Sequence, residues 1–175
     1  MKKELFCDRL FFEKCKDDTY QRFVDYAFEN CDFFMLVYVN YYGKGYSKEL
    51  KQFEKMLKPF QYKRRTDPCW PGTPGTYCKN TTYKVVFYPT TEETKRIVKS
   101  VNALEEWGGK TLPQDIAFFK GNNCWFYSVI HETMAGIVDV SEKDIHFCKK
   151  NGLYSPSCLN SISEQEISYY FEELI

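Results

Sequence analysis

Residues 115–132 read DIAFFKGNNCWFYSVIHE, two apolar and aromatic runs on either side of Gly121-Asn122-Asn123. Glycine and asparagine tolerate the positive φ angles of a tight turn, and runs rich in Phe, Trp, Tyr, Ile and Val suit a pleated, buried surface. The stretch predicts a β-hairpin. It closes on Ser128, His131 and Glu132, which bring a hydroxyl, an imidazole and a carboxylate close together in sequence. That end is either a chemical site or the polar exit of a buried hairpin.

Upstream, TTEETKRIVKSVNALEEW (90–107) has a threonine cap with Glu92 and Glu93 two and three residues on. Ile97, Val98, Val101 and Leu104 share one face, and Gly108-Gly109 end the helix. TTYKVVFYP (81–89) alternates as a strand closed by Pro89. YKRRTDPCWPGTPGTYCKN (62–80) carries three prolines and two glycines and predicts a long loop or cluster of turns. SKELKQFEKMLKPF (47–60) and DDTYQRFVDYAFEN (17–30) place apolar residues at helical spacing behind polar caps. DFFMLVYVNYY (32–42) between them is short and aromatic, a central strand, and ELFCDRLFF (4–12) offers a possible first strand. Downstream, SEKDIHFCKKNG (141–152) and SISEQEISYYFEELI (161–175) predict two further helices.

This order predicts an α+β fold: a mixed, largely antiparallel sheet of about four or five strands covered by amphipathic helices. Residues 1–140 form the core domain, and 141–175 a C-terminal helical extension packed on it. At 175 residues, the chain fits one domain with a full core.

Composition narrows the function classes. Lys and Arg number 24 against 24 Asp and Glu, so no net field gathers nucleic acid or an anionic membrane. The N-terminal residues show no signal-like apolar run, and FFMLVYVNYY (33–42) is about half the ~20 residues a spanning helix needs. A cytoplasmic, soluble protein is the expectation. The eight cysteines then read as reduced thiols. With 14 Tyr and 15 Phe, aromatic side chains exceed what a minimal core needs, and some are expected at a protein interface.

The chemical candidates are thin. Ser128, His131 and Glu132 form the alternative catalytic set. On a strand, however, Ser128 and His131 lie an odd number of residues apart and face opposite ways, and no GxSxG turn exposes the serine. His131 reads better as a polar cap. His146, Cys148 and Cys158 are the nearest approach to a metal-ligand spacing, a weak one without a CxxC pair. Cys124 lacks the cationic or helix N-terminal neighbour that activates a thiol. No GxGxxG or GxxxxGK[ST] loop implies a nucleotide cofactor, and no cofactor is expected. Lys63-Arg64-Arg65 beside Tyr62 reads as the solvated entrance to a loop, with contact to phosphate or an acidic protein surface as the alternative. Trp70, ahead of two Pro-Gly turns, either pins that loop to the core or displays it to a partner. Trp70, Tyr62, Arg64, Arg65 and Tyr77 are therefore the candidate binding residues.

WPGT (70–73), ALEEW (103–107) and LPQDIAFFKGNNCWFYSVIHE (112–132) together resemble a family of small, uncharacterised cytosolic proteins of Gram-positive bacteria. Its pattern runs WPGT, a helix ending LxEW, then LPEDLxFYxxxxxWLxSxxHE. The likeness spans roughly residues 60–135, with Gln114 where the pattern has Glu and Ile116 where it has Leu. Some members carry a sporulation stage III label meant for a membrane-anchored protein, whereas this chain reads as anchor-free. The resemblance implies no activity. On sequence, the expected function is a small intracellular protein-binding module, an inhibitor or an immunity or anti-defence factor. The alternative is an enzyme or small-ligand binder with a pocket around Trp70, Trp125 and His131.

Overall fold

The computed structural model describes residues 2–7, 9–40, 43, 45–73 and 82–162. In chain order they form β1 (Lys2–Cys7), α1 (Arg9–Lys14), α2 (Asp17–Asn30), β2 (Phe33–Tyr38), α3 (Lys48–Leu57), β3 (Lys63–Asp67), β4 (Tyr83–Pro89), α4 (Glu92–Val98), β5 (Gln114–Lys120), β6 (Asn123–Val129), β7 (Met134–Val138), α5 (Glu142–Lys150) and β8 (Leu159–Ile162). The strands make one eight-stranded sheet in the order β3-β4-β2-β5-β6-β7-β1-β8. Every pairing in it is antiparallel.

The α+β reading and the antiparallel hairpin of β5 and β6 hold, but the sheet has eight strands rather than four or five. The added strands have weak local signals. β3 is the basic run expected as a loop entrance, and its KRRTD sequence becomes a strand by pairing with β4 from Lys63↔Phe87 to Asp67↔Tyr83. β7 is five residues including a glycine, and β8 lies where only helix was expected and pairs with β1. The expected helix over 90–107 is also shorter. Its cap is Thr91 in a capping box with Thr94, α4 ends at Val98, and Leu104–Gly108 form a separate 3-10 turn. The helix expected over 161–175 starts in β8, and its remainder lies outside the described residues.

Alternation along the strands sorts the apolar residues onto two faces. Phe34, Leu36, Val86, Tyr88, Ile116 and Phe118 share one cluster with the buried side of the helices, including Phe11, Phe23, Phe53 and Ile145. Met35, Val37, Val85, Phe87, Ala117 and Phe119 form the second cluster, joined by Trp70, Tyr127 and Val129. Among the described residues, no helix contributes to this second cluster.

Two register shifts interrupt the central strands. Between β2 and β5, Leu36 opposes Ile116 while Val37 opposes Gln114, so Asp115 is the extra residue of a bulge, with φ +56°. Between β5 and β6, Phe118 opposes Phe126 and Phe119 opposes Cys124, which makes Trp125 the extra residue. A bulge re-aims the side chain it carries. Trp125 accordingly joins Phe126 in the helix-side cluster, where it stacks with Phe23 at 6.3 Å.

At Gly136 of β7 a Cβ would lie 2.5 Å from Glu4 Oε1 and 2.6 Å from Tyr127 Cε1. Neither neighbour is free to yield, because Tyr127 donates its hydroxyl proton to that same Glu4 oxygen at 2.8 Å. Gly136→Ala is expected to lower stability by about 1–3 kcal/mol through overpacking, measured as a reduced urea midpoint with an unchanged slope.

Candidate functional site

The motif residues converge on the corner where β6 leaves the sheet. Trp70-Pro71-Gly72-Thr73 folds into a turn that Thr73 closes: its Oγ1 accepts from Trp70 N at 2.8 Å and donates to Trp70 O at 2.7 Å. Gly72 has φ +86°, the value a Pro-Gly turn of type II demands at its third position. The turn lies so close to the sheet that a Cβ on Gly72 would meet the Tyr127 ring at 2.5 Å. From there the Trp70 indole N–H donates to Asp115 Oδ2 at 2.8 Å, and Ile130 N donates to Asp115 Oδ1 at 2.7 Å. Gly108, after Trp107, packs under Ile130, and a Cβ there would fall 2.7 Å from Ile130 Cγ2. WPGT, EWG, the aspartate of LPQD and the SxxHE turn thus meet around one peptide, that of Ile130.

Asp115 opens the hairpin stretch and carries no local motif that marks it as a site residue. It is completely buried. Burial raises its carboxyl from the usual 3.8 to about 7; the bonds from Ile130 and Trp70 oppose the rise, and nearby Glu132 adds to it. Both oxygens are occupied by N–H donors and out of contact with water, so the group serves as a clamp rather than an accessible acid.

Ser128 is also fully committed. Its Oγ donates to Ile116 O at 2.8 Å and accepts from Ile116 N at 3.0 Å, so a side chain stands in for backbone pairing where the β5–β6 ladder has ended at Phe118↔Phe126. His131 and Glu132 lie in the 3-10 turn Ile130–Glu132 and are exposed. His131 Nδ1 shares a hydrogen bond with Gln114 Nε2 at 2.9 Å, and its Nε2 is 3.7 Å from Glu132 Oε1. Serine and histidine are therefore not joined in a relay. Trp70 and Trp125 lie on opposite faces of the sheet, so the sheet separates the two indoles that the alternative reading places in one pocket with His131.

The metal spacing fails for a helical reason. His146 is exposed on α5 while Cys148, two residues on, is fully buried, as residues about 200° apart around a helix must be when one faces the core. Burial pushes the Cys148 thiol up to about 12. Among the described residues, no three His, Cys, Asp or Glu side chains gather to hold an ion. The described cysteines are free thiols.

The candidate binding residues separate in the same way. Trp70 is interior, and Tyr77 lies outside the described residues. Arg65 pairs with Asp67 at 2.9 Å. Tyr62 is 62% exposed while its ring stacks on Phe33 at 4.6 Å, and Arg64 stands exposed beside it on β3. Tyr62, Lys63 and Arg64 form an open polar and aromatic edge at the end of the sheet. Two described surface depressions, about 530 Å³ along Glu13–Thr19 and about 340 Å³ between Phe53, Met56 and Leu112, include none of the candidate residues. Among the described residues no helix is long and apolar enough to cross a membrane. No family model, curated protein or solved structure matches the chain.

The raised carboxyl of Asp115 has a definite sign in stability. The folded state holds this proton up to about pH 7, whereas the unfolded chain releases it near 3.8, so between these values folding takes up protons. Stability from this group is complete below about pH 4 and is lost as pH rises through 7, with a slope on the order of 1 kcal/mol per pH unit. Denaturation from pH 4 to 8 should show this fall in the wild type and lose it in Asp115→Asn, a residue that tolerates the positive φ. Ser128→Ala should cost about 1–3 kcal/mol, since it orphans a buried N–H and C=O, read as a lower melting temperature.

Proposed function

We propose that the chain is a small protein-binding module working in the cytoplasm as an inhibitor or an immunity or anti-defence factor. The single observation that carries the binding reading is Tyr62, held largely in solvent over Phe33 at the end of the sheet, with Lys63 and Arg64 next to it. A tyrosine kept rigid by stacking but left accessible supplies contact area at little entropic cost, the property that makes this residue common at binding hot spots. The enzyme alternative is the weaker reading. Its nucleophile is bonded to the Ile116 peptide at both its donor and its acceptor positions, and its indole pair is divided by the sheet.

The test is reconstitution. The tagged chain serves as bait in native bacterial lysate, captured proteins are identified, and the complex is re-formed from purified components. A stoichiometric complex that competes with untagged chain, and that Tyr62→Ala weakens at least about tenfold, supports the reading. The absence of any such complex, or a complex indifferent to Tyr62→Ala, defeats it.

A further inference from the structure

Resting on the protein-binding reading, we infer that the outer edge of β3 takes up an extended, acidic segment of the partner as an added strand. β3 ends the sheet, and among the described residues no strand pairs with its outer side. Its inner side is already locked in antiparallel register with β4 over five pairs. Tyr62 N continues the contact by donating to Phe87 O at 2.9 Å. The backbone at this edge is therefore held in strand geometry before any partner arrives, which removes most of the ordering cost on this side of the interface. Edge addition draws affinity from main-chain hydrogen bonds and selectivity from the side chains that flank them.

Those side chains specify charge. Lys63 and Arg65 lie on the face of Phe87 and Val85, and Arg64 on the face of Val86, so an added strand meets cations on both of its faces. Arg65 is engaged by Asp67. Lys63 and Arg64 make no ion pair among the described residues and are available to carboxylates. Opposite charges directly across a strand pair contribute roughly 0.2–1 kcal/mol each, and like charges oppose pairing by similar amounts. The same residues select against a second copy. Antiparallel pairing of β3 with itself centred on Arg64, on Arg65 or between them sets arginine against arginine. Charged edge residues are a common protection against self-pairing; here they leave an acidic strand as the favoured occupant. The exposed Tyr62 ring provides an apolar surface for one residue just past the charged segment.

The experiment uses the whole chain and a short fluorescent peptide alternating glutamate with valine. Probes for comparison are the same peptide with alternate backbone nitrogens methylated, a lysine-valine counterpart, and duplex DNA. The inference expects anisotropy to report binding of the glutamate peptide at low salt, and hydrogen exchange to slow within residues 63–67. It also expects at least about tenfold weaker binding on backbone methylation and in Lys63→Glu/Arg64→Glu, the fold of that variant being checked by circular dichroism. Equal binding of the methylated peptide would overturn strand addition and leave charge attraction alone. Absence of binding by the glutamate peptide would overturn the inference, as would tighter binding of DNA or self-association that the double variant abolishes. If a reconstituted partner depends on Tyr62 yet ignores the Lys63→Glu/Arg64→Glu reversal, this inference fails while the protein-binding reading stands.

Discussion

The carboxylate of Asp115 holds together the parts of this fold that come from distant stretches of chain. Taking an ionised carboxylate out of water costs several kcal/mol, and each N–H bond to it returns about 1.5–3. The two donors, Trp70 Nε1 and Ile130 N, offset only part of the cost, which is why the carboxyl titrates near 7 despite two good hydrogen bonds. Around that balance the rest of the corner follows. The left-handed bulge at Asp115 re-aims its side chain, Ser128 bonds the neighbouring Ile116 peptide from β6, and the tight WPGT turn settles on Tyr127.

This arrangement recasts the motif residues as a folding device. Trp70, Gly72, Gly108, Asp115 and Ser128 each need a specific close approach or hydrogen bond, and each is buried or turned inward. What the corner leaves in water is His131 and Glu132 at its rim, with the buried Gln114 amide bonded to the His131 ring. The open aromatic and basic surface lies elsewhere, on an edge strand outside the motif corner.

The two faces of the sheet are built by different means. Helices supply large aromatic rings to one, and Phe11, Phe23, Phe118 and Phe126 interlock there at centroid distances from 4.9 to 6.3 Å. On the other, a loop segment anchored by a single indole takes the place of a helix. A proline-glycine turn does this economically, since Gly72 lets the backbone itself rest on a tyrosine ring.

Much of the fold was legible in the sequence because its signals are local. The periodicity of DDTYQRFVDYAFEN, the cap at Ser47 and the GNN turn each act within a few residues, and α2, α3 and the β5–β6 hairpin stand where those signals put them. β3, β7 and β8 were hidden, since a charged run, a glycine-containing run and a four-residue segment with Asn and Ser at its centre become strands only through the partners that pair with them. Strand parity is broken once inside the hairpin. By alternation Trp125 faces away from Phe126, and the bulge puts both on the helix side. Of the candidate site, the sequence determined which residue types were present, while its parity argument assumed a strand at His131 where the chain forms a 3-10 turn. Only the tertiary structure decided that Trp70 is an anchor, Asp115 its acceptor and Tyr62 the exposed ring, because burial and long-range hydrogen bonding depend on which distant segments meet.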